Sequence, residues 1–223
     1  MSRSVTRAAP VLLALGALAY TAWVLEVLVR TGLDPVRTYV SELAAADQPL
    51  GGLFRATDLT AGLLVLAGAL TGLAGTRDRR PLLLTGWIAL AVFGAATAVD
   101  SRLPLSCAPT TDPECAARET AGLVPATHTA HAVSSSLAML GALVALVALT
   151  AAARRYGRWP PLARTGPVLV VLELAATAWT LAAVAAFEAG KGIWSLGAGQ
   201  RLQVLLVAVW LAVLALSLLR EES

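Results

Sequence analysis

Histidine and cysteine are scarce in this chain, which has two of each among 223 residues. Charged residues are also few, at 14% of the sequence. No P-loop, G-x-G-x-x-G, G-x-S-x-G or H-E-x-x-H motif occurs, which argues against the common nucleotide-binding folds and the catalytic motifs of soluble hydrolases. The C-x-x-C motif is missing too, so a thiol-exchange enzyme is not indicated.

Apolar residues, in contrast, make up 57% of the chain, and the mean hydropathy is +0.73. A hydrocarbon core about 30 Å thick requires roughly 20 apolar residues in an α-helix, and six runs reach that length. They lack the alternation of a barrel strand, so the sequence predicts one integral membrane domain, residues 1–223, with an all-α polytopic bundle of six transmembrane helices. The runs cover about 9–29, 57–75, 81–99, 127–152, 166–188 and 201–219.

Arginines cluster in two turns between these runs, TRDRRP at 76–81 and ARRYGRWPPLAR at 153–164. Short loops rich in Lys and Arg stay in the cytoplasm, so both termini are predicted to be cytoplasmic. We expect a multi-pass plasma-membrane protein whose partners are membrane lipids. The formal net charge of +3 gives no indication of a nucleic-acid partner.

Both cysteines, Cys107 and Cys115, fall in the loop between the third and fourth runs, on the predicted outer side. Disulfides persist outside the reducing cytoplasm, so a short bridge is predicted there. Free thiols are the alternative, since the Cα separation is not given by the sequence.

The loop after the first run contains PVRTYVSELAAA, in which Val36, Val40 and Leu43 recur at helical spacing. This pattern predicts a short outer amphipathic helix that lies along the membrane surface. A loop of this length with local structure is more often a lid or a binding element than a plain connector.

Four ionisable residues are predicted at the outer ends of the helices. Asp58 is expected in the first turn of the second helix, Asp100 at the end of the third, and His128 and His131 at the start of the fourth. Histidines at i and i+3 share a helix face, and two nitrogens with two carboxylates suit Zn²⁺. We therefore predict an outer-leaflet polar pocket in which these four act around a metal, or as acid and base, to hydrolyse an ester or amide of a lipid or other lipophilic substrate.

Other interpretations of these residues stay open. Asp58 and Thr127 are suited to capping helices, and the pocket could recognise a lipophilic small molecule without reacting with it. Three serines, 134 to 136, form a polar patch in the fourth run.

Glu173 lies roughly 10 Å inside the fifth run by helical rise, where a carboxylate is costly unless it is protonated, paired or beside a polar cavity. It suggests an alternative function, a transporter that relays protons through Glu173 with Thr177 and Thr180 nearby. A third class is a structural membrane assembly protein, because Gly68 and Gly72 have the GxxxG spacing that packs helices within a bundle or across a homo-oligomer.

Three segments carry a resemblance to a known family: TYVSELAAADQPLGGLFRATDLTAGLL, AVDSRLPLSCAPTTDPECA and THTAH. The chain resembles the bacterial and archaeal polytopic membrane proteins that share domain of unknown function 998, from the first helix through the fifth. That resemblance implies a bundle of six or seven helices and no established activity.

A fainter likeness is to the membrane hydrolases of the alkaline-ceramidase type, in which a Ser, an Asp and three His build a zinc site. The matching residues would be Ser41, Asp58 or Asp100, and His128 with His131. The chain has no third histidine for such a site.

Overall fold

The computed structural model describes residues 3–76 and 79–221, and these residues form seven α-helices, two short 3-10 helices and no strand. Arg77, part of the basic turn used to predict the orientation, lies outside the described residues. The α-helices are α1 Arg3–Tyr20, α2 Gly51–Gly75, α3 Pro81–Asp100, α4 Pro113–Thr120, α5 Ala126–Tyr156, α6 Pro160–Glu188 and α7 Leu196–Glu221.

Six helical segments are long and apolar enough to cross a membrane, which confirms the predicted fold class. The first of them, Ala8–Val27, joins α1 to the 3-10 helix Ala22–Val27. The second begins at Gly51, earlier than the predicted 57, because the start of α2 continues into the polar segment before the apolar run. The short helix α4 lies between spans and was not predicted; Pro113 begins it and Asp112 caps it by accepting a bond from the Glu114 N–H at 2.9 Å.

Glycines bring the central helices into direct backbone contact. A methyl group at Gly62 of α2 would lie 2.5 Å from the Ala98 nitrogen of α3, and one at Gly141 of α5 would lie 2.8 Å from the Phe93 nitrogen. The predicted GxxxG pair also packs inside the bundle, because Gly68 faces Leu13 of α1 and Gly72 faces Trp87 of α3. Within this chain, small residues are therefore used to bring neighbouring helices close.

The Cys107–Cys115 disulfide is present, with a sulfur–sulfur distance of 2.03 Å, which confirms the predicted bridge. It lies at the end of the bundle where α1 and α3 end and where α2, α5 and α7 begin; we call this the disulfide end.

The predicted amphipathic helix is present in shorter form, as the 3-10 helix Val40–Ala44. Its Glu42 is fully buried, and the two carboxylate oxygens accept bonds from the Thr110 N–H at 2.8 Å and the Thr110 hydroxyl at 2.5 Å. Burial raises the pKa of Glu42 above its ordinary value, against the lowering effect of these two bonds. The segment therefore packs under the disulfide loop instead of lying apart on a membrane surface.

A buried ion pair joins the 3-10 helix Ala22–Val27 to α7. The guanidinium of Arg201 binds the carboxylate of Glu26 through two contacts of 2.6 Å, and it also donates to the Thr38 carbonyl at 2.7 Å. Both charged residues are less than a tenth exposed. A cation distant in sequence thus satisfies the Glu26 carboxylate inside the protein.

Candidate functional site

A cavity of about 380 Å³ lies at the disulfide end, and all six spans contribute to its wall. This volume is within the range of small-molecule sites, roughly 300–1,000 Å³. Its lining combines aromatic, apolar and polar side chains: Tyr20, Trp23, Val40, Ser41, Leu43, Phe54, Asp58, Thr97, Asp100, Ser135, Ser136, Ala138, Met139, Leu140, Leu143, Thr177, Thr180, Leu181, Gln200, Gln203 and Val204.

The cavity reaches the apolar outer surface between α5 and α6. Leu140 of α5 and Leu181 of α6 line it, yet they are 58% and 64% exposed on the lipid-facing side of the bundle. At the other end of the bundle the same two helices touch, since a methyl group at Gly166 would lie 2.5 Å from Thr150 Cγ2. The cavity wall thus includes side chains on the outer surface of α5 and α6, within segments apolar enough to span a membrane.

Two residues of this wall, Ser135 and Asp100, form a connected set with His131, which is not itself among the lining residues. The Ser135 hydroxyl lies 3.2 Å from His131 Nε2 and 3.1 Å from each Asp100 carboxylate oxygen. His131 Nδ1 lies 3.1 Å from Asp100 Oδ1, and the Ser134 hydroxyl also donates to that oxygen. The contacts therefore link a hydroxyl, an imidazole and a carboxylate.

The backbone sets the tautomer of His131. Its Nδ1 lies 3.1 Å from the carbonyl oxygen of Leu103, which has no hydrogen to donate. In a ring with one N–H, Nδ1 therefore carries the hydrogen, and Nε2 is left without one, 3.2 Å from the Ser135 oxygen. The Ser135 hydroxyl itself donates to the Asp100 carboxylate.

The remaining predicted site residues lie in different surroundings. Ser41 and Asp58 line the cavity. Asp58 lies beyond the first turn of α2, which begins at Gly51, so the expected position in that turn was wrong. Leu50 and Pro125 occupy the N-cap positions of α2 and α5, so neither Asp58 nor Thr127 caps a helix.

His128 faces the disulfide loop. Its Nδ1 accepts a bond from the Ser106 N–H at 3.1 Å, and its Nε2 lies 3.4 Å from Glu119 Oε1. Although the two histidines are i and i+3, their rings contact different partners. Across residues 3–76 and 79–221, no three His, Cys, Asp or Glu side chains are grouped as metal ligands. The four residues predicted to bind zinc do not form a ligand set in this part of the chain, so we derive no step through a metal.

Glu173 is fully buried in α6, and within the described residues neither of its carboxylate oxygens has a hydrogen-bond partner. One turn further along α6, Thr177 lines the cavity and its hydroxyl accepts a bond from Gln203 Nε2 at 2.8 Å. The carboxyl of Glu173 therefore lies beneath the cavity wall without being part of it.

Sequence reasoning gave no catalytic part to Ser135. It was visible only as the middle of three serines in a polar patch. The available signal was its spacing of four from His131, which puts the two on one helix face.

The comparison with known families gives a match over residues 4–217 to the family described as "Protein of unknown function (DUF998)". The chain belongs to the DUF998 family. No curated protein and no solved structure matches it significantly. For this DUF998 protein, the comparisons do not support the likeness to hydrolases of the alkaline-ceramidase type.

Proposed function

We propose that this DUF998 protein is a membrane-embedded serine hydrolase that cleaves an ester or amide of a lipophilic substrate. The observation that carries the proposal is the linked set of Ser135, His131 and Asp100, of which Ser135 and Asp100 line a cavity with exposed apolar side chains at its edge. A nucleophile within reach of a base, with the base held by a third group, is the arrangement that activates a hydroxyl for acyl transfer.

In the proposed reaction, Ser135 Oγ attacks the carbonyl carbon of the substrate while its proton moves to His131 Nε2. The imidazolium ion is stabilised by Asp100 and held by the Leu103 carbonyl. Collapse of the tetrahedral intermediate breaks the bond to the leaving alcohol or amine, which takes the proton from His131. Water then attacks the acyl-serine by the same route and releases the acid.

The cavity supplies the other requirements of this chemistry. Its opening between Leu140 and Leu181 gives a route for an apolar chain from the bilayer. Tyr20 and Gln203 are among the lining residues, and we assign the Tyr20 hydroxyl and the second amide hydrogen of Gln203, whose Nε2 also donates to Thr177, to the developing oxyanion. The predicted orientation puts the disulfide end outside the cytoplasm, where the Cys107–Cys115 bridge persists, so the substrate would come from the outer leaflet.

The test is covalent labelling with an alkyl fluorophosphonate, which reacts with activated serines. We expect the purified protein to be labelled at Ser135, as mapped by peptide mass spectrometry, and the Ser135→Ala variant to remain unlabelled. Ser136→Ala is the matched control, because Ser136 also lines the cavity but its hydroxyl donates to the Ala132 carbonyl. An unlabelled wild-type protein, or equal labelling of Ser135→Ala, would refute the proposal.

The predicted zinc dependence is tested separately by elemental analysis of the purified protein. One equivalent of bound zinc, lost in both His128→Ala and His131→Ala, would favour the metal-dependent form of the hydrolase. Labelling that survives His128→Ala and exhaustive chelation would favour the serine mechanism. His128 has no part in that mechanism, and its contacts are with Ser106 and Glu119 beside the disulfide loop.

A second candidate function is proton-coupled transport through Glu173. The observation that favours it is the fully buried carboxyl without a hydrogen-bond partner among the described residues, beside the cavity wall. Intramembrane carboxyls of this kind are common in proton relays. In proteoliposomes, substrate-dependent proton uptake that disappears in Glu173→Gln and persists in Ser135→Ala would support transport over hydrolysis.

A further inference from the structure

The charged residues of the cavity wall are all acidic. Among its lining residues, Asp58 and Asp100 are the only charged ones, and none is Lys, Arg or His. Asp100 is bound by two serines and lies beside His131. Asp58, by contrast, has no hydrogen-bond or ion-pair partner within the described residues, although it lines the cavity.

Two arginines on the segments around the cavity, Arg201 and Arg55, are engaged elsewhere. Arg201 is paired with Glu26 through two contacts of 2.6 Å. Arg55, on the same helix as Asp58, donates to the carbonyls of Ala44 at 2.7 Å and Ala45 at 3.2 Å. Asp58 is only partly exposed, and a partly desolvated carboxylate without a bound cation is less favourable than a paired one, so a cationic ligand would gain free energy at Asp58.

Two further features of the wall match a cationic group. Tyr20, Trp23 and Phe54 line the cavity, and aromatic faces attract ammonium ions. The hydroxyl of Thr180 is buried without a hydrogen-bond partner among the described residues, in a residue only 7% exposed that lines the cavity. A buried hydroxyl of this kind is normally satisfied, so its position on the wall points to a polar ligand.

We propose that the cavity binds an amphiphile with an ammonium headgroup, whose ammonium lies against Asp58 and whose apolar chain leaves between Leu140 and Leu181. If the ligand is also the substrate, the inference rests on the proposed hydrolase function. The substrate is then an ester or amide of an amphiphile that carries an amine. Anionic lipids and fatty acids are disfavoured, because their charge has the same sign as the wall.

The experiment compares three probes with the same chain length, dodecyltrimethylammonium, dodecanol and dodecanoate, added below their micellar concentrations. Binding to the purified full-length protein in nanodiscs is measured by the shift of its thermal unfolding midpoint and by titration of tryptophan fluorescence. We expect the ammonium probe to bind at least about tenfold more tightly than the alcohol, and dodecanoate to bind most weakly. Asp58→Asn should remove the preference for the ammonium over the alcohol. Asp47→Asn, which makes the same charge change at an exposed residue away from the cavity wall, should keep it.

The Ser135→Ala variant separates this inference from the proposed reaction. It should keep the ammonium preference even if no serine is ever labelled, in which case the hydrolase fails and the ligand class stands. Equal binding of dodecanoate and the ammonium probe, or an ammonium preference that survives in Asp58→Asn, would overturn the inference. Unchanged unfolding midpoints of Asp58→Asn without probe show that the variant is folded.

Discussion

Replacing Arg201 with Met should destabilise the protein far more than the same change at another arginine. Arg201 is 7% exposed and Glu26 is 9% exposed, and the substitution leaves the Glu26 carboxylate buried without its partner. Removing one partner of such a buried pair costs about 3–5 kcal/mol. The Thr38 carbonyl would also lose its donor at 2.7 Å, which releases the segment that forms one wall of the cavity.

Arg158→Met is the matched control, because Arg158 lies between α5 and α6 and pairs with Glu221 at the opposite end of α7. Arg158 binds Glu221 with contacts of 2.8 and 2.9 Å, but the two side chains are 31% and 38% exposed. Exposed pairs contribute little, so this variant should lose no more than about 1 kcal/mol. The double variant Glu26→Leu with Arg201→Met removes both charges, and it should lose only about 1–3 kcal/mol, chiefly from the carbonyls left without a donor.

The assay is the free energy of unfolding in mixed micelles as the mole fraction of SDS is raised, followed by tryptophan fluorescence and circular dichroism. The expected order of stability is wild type, then Arg158→Met, then the double variant, with Arg201→Met the least stable. The reasoning is refuted if Arg201→Met and Arg158→Met are equally stable, or if the double variant is less stable than Arg201→Met.

Three other perturbations follow from the structure. Reduction of the Cys107–Cys115 bridge, which joins cysteines eight positions apart, should lower the free energy of unfolding by about 2–3 kcal/mol, as measured with and without reductant. The pKa of Glu42 is raised in the folded state, so its contribution to stability is full in acid and is lost as the pH rises through that pKa. In the same unfolding assay, the stability of Glu42→Gln should therefore depend less on pH than that of the wild type. Gly62→Ala should destabilise the protein by about 1–3 kcal/mol, because its methyl group would meet the α3 backbone at 2.5 Å. Gly75→Ala is the control and should be nearly neutral, because nothing lies within 4 Å of the added methyl group. Equal effects of the two changes would contradict the close contact between α2 and α3.

Much of the fold could be predicted because the membrane-spanning helices follow from hydropathy, which is read directly along the sequence. A run long enough to span the bilayer must satisfy its backbone internally, so the six helices follow from composition and length. The disulfide could be predicted because the two cysteines are close in sequence and lie on one side of the predicted topology. Helix ends were less predictable: α2 begins in a polar segment, which moved Asp58 out of the expected first turn.

The candidate site was decided by the tertiary structure. Sequence placed Asp100 and His131 at neighbouring helix ends, but only the rotation of α5 against α3 joins them to Ser135 and sends His128 to the disulfide loop. Likewise Glu26 and Arg201 are 175 residues apart, and no local pattern links them. Contacts between helices depend on how each is rotated and how closely the backbones approach. That geometry is set by glycines and side-chain shapes acting together across the bundle, and hydropathy along the chain does not encode it.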